Sequence, residues 1–244
     1  MRRTVIPELL DSDAGTPGEI QASLADLRLI NRWFGGTTTT AALLQRVIRE
    51  VSERKLSLLD VGAGSGDIPI AVARQLQQRG IELEVTLLDR AVTHLPAAAG
   101  NASGLRMAIG DAFALPFRDC SFDLVACALF IHHLDPDEAV RFLNEALRVA
   151  RVAVLINDLR RSRVHLVAVY AGWLLYRSRL TRHDGPASVR RAYTRVELAH
   201  VLRRTGAAKV KIFNHYLFRM GAIAWKGPPG VDCAVARELH PSAG

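Results

Sequence analysis

The chain has 244 residues, 49% of them hydrophobic and 23% charged, with a formal net charge of +8. That length holds one substantial α/β domain, and the apolar content excludes a disordered or fibrous chain. A positive balance suits acidic partners, but Arg greatly outnumbers Lys, the basic residues are spread along the chain and no aromatic-basic RNA motif accompanies them, so nucleic acid is not the expected partner.

Residues 1–18 read as irregular, with Pro7, Gly15, Pro17 and Gly18. Ile20, Leu24, Leu27, Ile30 and Phe34 share a face at helical spacing, which predicts a helix over 19–34 ended by Gly35 and Gly36. Thr40 is predicted to cap a second helix running to Glu53. The pattern then alternates. Segments 56–61, 83–88, 105–109, 122–128 and 152–156 read as buried strands, with helices predicted over 68–78 and 91–99, the latter weakened by Pro96. Asp135-Pro136-Asp137-Glu138 opens a further helix: Asp135 caps, proline takes the first position and Glu138 completes a capping box. Beyond the fifth strand, 163–180 is an apolar helix candidate, followed by the polar stretch His183-Asp184-Gly185-Pro186. Thr194 caps a helix to Arg204, with Glu197 three residues on, and 210–213 and 217–225 read as two last strands joined near Asn214. Residues 227–244 are expected to form a flexible tail.

Strands alternating with helices define βαβ units, hence an α/β, doubly wound and mainly parallel sheet that binds ligands at the carboxyl ends of its strands. Cys120, Cys127 and Cys233 fit neither a zinc site nor a disulfide framework, so no metal is expected and a reducing cytoplasm is the inferred compartment. No apolar h-region follows Arg2 and Arg3, so no signal peptide is expected. The longest apolar run, 164–176, contains His165 and is too short to span a bilayer.

The most informative segment is Leu58-Leu59-Asp60-Val61-Gly62-Ala63-Gly64-Ser65-Gly66-Asp67. Apolar residues lead into an acid, three glycines follow at alternate positions, and a helix starts. Bare backbone there permits a sharp turn and close approach of a bulky ligand, and the helix start offers free N–H groups. The spacing is neither the dinucleotide G-x-G-x-x-G nor the Lys-containing P-loop. Three further signals follow at predicted strand ends. Asp89 can accept both hydroxyls of a ribose. Asp111, in Gly110-Asp111-Ala112, can accept from an exocyclic amine. Ser121-Phe122-Asp123 leads through the fourth strand to His132-His133.

With these motifs in order, the sequence resembles the class I S-adenosylmethionine-dependent methyltransferases over roughly residues 40–157. "LLDVGAGSGD", "GDAFALPF", "SFDLVACALFIHHL" and "EALRVAR" stand at that family's usual places. Within it, the chain looks most like the ubiquinone/menaquinone-type enzymes and the bacterial enzymes that methylate phenolic or polyketide metabolites. The resemblance implies a Rossmann-like, seven-stranded mixed sheet with one antiparallel strand. It implies an N-terminal lid segment at 1–39, an S-adenosylmethionine-binding domain at 40–226 with a helical insert at 160–192, and the tail. It also implies that Asp60, Gly62, Ala63, Gly64 and Gly66 hold the methionine end of the cofactor. Asp89 would hold the ribose with Arg90 beside the adenine, Asp111 and Ala112 would meet the adenine ring, and Leu129 would approach the methyl-donor end.

The expected reaction is methyl transfer to a small hydrophobic hydroxylated acceptor, phenolic, polyketide or quinone-like, by O-methylation. C-methylation of a quinone precursor is the near alternative. An RNA or protein methyltransferase, or a cofactor-binding module without turnover, are the more distant ones; Ala126-Cys127-Ala128-Leu129 stands where an Asn-Pro-Pro-Tyr-type motif would be. His133, and behind it His132, are the candidate bases, since imidazole titrates near neutrality. His183, Arg190, Arg191 and Tyr193 are candidate substrate contacts. The apolar helix candidate, with arginines at its flanks, allows peripheral contact with a membrane. A monomer or a homodimer is expected.

Overall fold

The structure is a computed structural model and describes residues 1–227 apart from 13, 52, 92, 96–104 and 216. Most of the helix expected at 91–99, and the tail from 228 onward, lie outside the described residues. Seven strands form one sheet: β1 (Lys55–Val61), β2 (Glu82–Asp89), β3 (Arg106–Ile109), β4 (Phe122–Ala128), β5 (Ala150–Leu159), β6 (Lys209–Asn214) and β7 (Arg219–Trp225). Their order is β3-β2-β1-β4-β5-β7-β6. Strands β1 to β5 pair in parallel, while β7 runs antiparallel to both β5 and β6.

Alternation along the strands gives the sheet two apolar faces. On β5, Ala153 and Leu155 join the face that holds α2 (Gly36–Ile48) and α3 (Asp67–Gln77). Val154 and Ile156 join the face that holds α4 (Pro136–Val149) and α7 (Arg195–Arg203). Phe142, Leu143 and Ala146 of α4 are fully buried there. A third, smaller cluster of Ile20, Leu24 and Leu180 joins α1 (Pro17–Trp33) to α6 (Arg179–Arg191), above the carboxyl ends of the strands.

The structure departs from the sequence reading in its helices. Helix α2 starts at Gly36 rather than beyond Thr40. Gly35, at φ +81°, ends one helix and begins the next. Thr40 is buried inside α2, where its hydroxyl accepts from Asn157 Nδ2 at 2.8 Å. The apolar helix expected over 163–180 is broken into α5 (Arg163–Ala171), a 3₁₀ turn (Trp173–Leu175) and the start of α6. Gly172 caps α5, and Ser178 caps α6 by accepting from the Leu180 N–H. The polar stretch 183–186 therefore lies inside α6 rather than in a loop. Among the described residues, no helix is long and apolar enough to cross a membrane.

Candidate active site

Strand order reverses between β1 and β4, which opens a crevice at their carboxyl ends. A cavity of 520 Å³ occupies it. Asp60, Gly62, Ala63, Gly64, Asp89, Arg90, Asp111, Ala112, Leu129, His132 and His133 all line it. Gly66 is the one residue expected to touch the cofactor that stands behind the lining, at the N-cap of α3.

All three alternate glycines take left-handed backbone, with φ of +67° at Gly62, +52° at Gly64 and +65° at Gly66. Two of them are held by packing as well. A Cβ on Gly62 would lie 2.5 Å from Phe130, and one on Gly66 would lie 2.4 Å from Leu87. A Cβ on Gly64 would meet nothing within 4 Å, so this backbone faces open space in the cavity. The Gly64 N–H donates to Asp89 Oδ2 at 2.8 Å. Asp89 Oδ1 in turn accepts from the Ala91 N–H at 2.9 Å, which sets the carboxylate at the rim. Asp111 Oδ1 accepts from the Phe113 N–H at 2.9 Å. Leu129 sits just past β4 at φ +54°, a strained conformation of the kind that collects at functional sites.

Three carboxylates ring the loop. Burial raises the pKa of Asp60 well above the ordinary carboxylate range, and the charges of Asp67 and Asp89 push it further. Asp60 is thus held toward its neutral form, and the negative charge that the loop offers a cationic ligand group comes from Asp67 and Asp89.

The same cavity is lined by the histidines. His132 is buried, its Nδ1 lying 2.7 Å from Asp158 Oδ1 at the end of β5. Its backbone N–H donates to Asp158 Oδ2 at 3.0 Å. On its other side Nε2 is 3.5 Å from Glu8 Oε1. Burial opposes charge on this imidazole, but the Asp158 and Glu8 carboxylates outweigh burial and raise its pKa to about 10. His133 reaches further into the cavity mouth, and its Nδ1 is 2.7 Å from Asp11 Oδ2. Burial alone would raise the pKa of Asp11, yet the hydrogen bond to His133 and the histidine charges lower it. One potential ligand atom from each of Glu8, His132 and His133 lies within 4.8 Å of the others, so this trio can also hold a metal ion.

Glu8 and Asp11 come from the N-terminal segment, which is laced onto the insert. The Leu9 and Leu10 N–H groups donate to the Asp184 carboxylate at 2.8 and 3.0 Å. The Thr4 N–H donates to the Arg190 carbonyl, and Arg3 donates to the carbonyls of Arg191 and Leu134.

The expected substrate contacts divide. Arg191 lines the cavity, where it donates to the His133 carbonyl and lies 4.0 Å from Asp11. It therefore braces the histidine turn. His183, Arg190 and Tyr193 stand outside the cavity lining. His183 pairs with Asp184, Arg190 donates to the Tyr170 hydroxyl, and the buried Tyr193 hydroxyl donates to the Leu134 carbonyl at 2.7 Å. His183, Arg190 and Arg191 were expected together in a polar insert between helices, whereas α6 distributes these three around its circumference and Tyr193 follows the helix end. Sequence reasoning missed Glu8, Asp11 and Asp158. The first two lie in a segment without periodicity, and Asp158 ends a strand as an acid with no motif around it.

Residues 58–152 match the family model of the methyltransferase domain. Norajmaline N-methyltransferase of Rauvolfia serpentina is 30% identical over 141 residues, 57% of this chain and 44% of that protein. Demethylmenaquinone methyltransferase of Thermotoga maritima is 34% identical over 125 residues, 50% of this chain and 51% of that protein. The chain thus spans about half the length of these curated relatives. Among solved structures, the plantazolicin methyltransferase BpumL, in complex with a monoazolic analog and S-adenosylhomocysteine, superposes with a TM-score of 0.64 at 14% identity. That likeness covers 83% of this chain and 88% of BpumL, and it concerns the fold. Residues 58–152, from within β1 to the start of β5, are thus similar to the methyltransferase domain, and the sheet built around them has the fold seen in BpumL.

Proposed function

We propose that the protein transfers a methyl group from S-adenosylmethionine to the hydroxyl of a small hydrophobic acceptor. The observation that supports this most is that one cavity is lined both by a bare glycine turn with Asp67 and Asp89 beside it and by a carboxylate-braced imidazole. The residues present fit the cofactor. Gly64 leaves the space a side chain would fill, Asp67 and Asp89 offer negative charge to its ammonium and sulfonium groups, and Asp60 offers a hydrogen-bonding carboxyl. In this reading Asp60, Gly62, Ala63 and Gly64 hold the methionine end, Asp89 the ribose, and Arg90, Asp111 and Ala112 the adenine, with Leu129 near the reacting centre. When bound, the sulfonium supplies an already activated methyl carbon open to in-line displacement.

The chain has to orient the acceptor, exclude water and take up one proton. Alignment of the two reactants is worth about 7–11 kcal/mol in well-oriented systems. Leu24, Leu27 and Ile30 of α1 and Val169 of α5 give the cavity an apolar roof, which favours a hydrophobic acceptor over a sugar or nucleotide. His133 takes the hydroxyl proton at Nε2, and Asp11 at Nδ1 fixes the tautomer and stabilises the imidazolium that forms. His132 already carries a proton in this reading and serves as a charged strut for the turn. C-methylation of a quinone precursor is the second reading, supported by the similarity to the Thermotoga maritima enzyme, and it uses the same base to form a phenolate.

Calorimetric titration with S-adenosylmethionine and S-adenosylhomocysteine tests the assignment, followed by transfer assays on phenols and quinols. We expect uptake of both ligands and its loss in Gly64→Val, whose side chain blocks the ligand path; far-ultraviolet circular dichroism checks that the variant is folded. Well-folded wild-type protein that takes up neither ligand overturns the reading.

A further inference from the structure

We propose that α5 and the turn after it form a membrane-docking face for an anionic bilayer, through which a lipophilic acceptor enters the cavity. Two observations on the same element carry this.

The first is the apolar face. Val164, Val167 and Tyr170 recur along one side of α5 and are 68%, 67% and 50% exposed. Trp173, Leu174 and Leu175 continue it at 42%, 81% and 81%. Six large apolar side chains within twelve residues make a contiguous patch of the kind that marks an interaction surface. Its make-up is that of an interfacial anchor, with leucine and valine at the tip and one Trp and one Tyr at the level of the headgroups.

The second is the charge around it, which selects the partner. Between residues 160 and 183 there are six arginines and no Asp or Glu. Arg161 and Arg179 are matched by Glu197 and Glu19. Arg163 and Arg177 stand exposed at the two ends of the patch. Arg182 and Arg190 stack behind the Trp173 and Tyr170 rings, at 5.2 and 5.6 Å from the ring centroids. An apolar tip inside a collar of positive charge complements acidic lipid headgroups. A second protein subunit would call for acidic groups to match, and this face offers none of its own.

The back of the same helix faces the cavity. His165 stacks on Phe218 and lines the cavity together with Val169, and Tyr176 lines it just past the turn. A single helix thus separates the apolar patch from the acceptor space. This contact deepens the hydrophobic-acceptor reading above and rests on it only for what the cavity receives.

Vesicle flotation is measured without methyl transfer, so the two readings can fail separately. The full chain is floated with phosphatidylcholine vesicles, with and without phosphatidylglycerol, at low and high salt. We expect binding only to the acidic vesicles, weakened by salt. Leu174→Asp/Leu175→Asp should lower the bound fraction roughly tenfold or more while leaving the unfolding temperature and S-adenosylhomocysteine uptake unchanged. Absence of co-flotation, or binding that survives the double substitution, overturns the docking face. So does concentration-dependent dimerisation in sedimentation that the double substitution abolishes, because the patch would then be a self-association surface.

Discussion

Adjacent in the chain, His132 and His133 are assigned opposite work by their neighbours. His132 is locked between Asp158 and Glu8, with its pKa raised to about 10 despite burial. Because that value exceeds the 6.5 of an unfolded imidazole, its proton stabilises the fold fully below about pH 6.5. This contribution drains away as the pH climbs toward 10. Thermal melts should therefore show a gap between wild type and His132→Gln that is widest near pH 6 and shrinks steadily up to pH 10; a constant gap would mean that the charge carries no stability. Among the described residues His133 is hydrogen-bonded through Nδ1, to Asp11, and in the proposed mechanism its Nε2 takes the acceptor's proton. His133→Ala should slow O-transfer by about 100-fold or more with little change in cofactor affinity. Asp11→Asn should lower kcat and shift the acid limb of the pH–rate profile, since the imidazolium loses its counter-charge. An unchanged limb would reduce Asp11 to a packing residue.

At the scale of elements, the helix starts were read most securely. Asp135 with Glu138, and Thr194 with Glu197, form the capping boxes their spacing announces. Thr194→Ala should cost about 1 kcal/mol, seen as a drop of about 2–4 °C in unfolding temperature. The strands were legible for a related reason. Leu58 and Leu59 face opposite sides of a sheet covered by helices on both, so the buried run is continuous and flanked by turn residues. The glycine turn was legible because its left-handed backbone admits almost no other residue. The insert was not. Composition could not tell one long apolar helix from two short ones, because Gly172 and Ser178 are weak stops and the apolar face of α5 is covered by nothing among the described residues. The polar residues of α6 misled for the same reason: Asp184 looked like a loop residue but is tied to backbone from the far N-terminus, and periodicity cannot report such a long-range bond.

At the scale of the whole molecule, the cavity is assembled from three sources: the carboxyl edge of the sheet, the helices α1, α5 and α6 above it, and the N-terminal segment. A ligand that bridges sheet and roof holds the folded form together. At a hundred times its Kd it adds about 2.7 kcal/mol. Saturating S-adenosylhomocysteine should thus raise the unfolding temperature of the wild type by about 5–10 °C and leave Gly64→Val where it was. A shift in neither protein would place the ligand elsewhere or nowhere.

The lacing of residues 3–11 over the insert has a practical side. In the proposed reading the donor is held by the sheet edge, whereas Glu8 and Asp11, two of the acids behind the histidines, arrive on a strap fastened by a few hydrogen bonds. Trimming residues 1–12, or crowding them with an affinity tag fused ahead of Met1, should yield a preparation that still captures the nucleoside and turns over poorly. The tag belongs at the other end, or screening for acceptors will discard true ones.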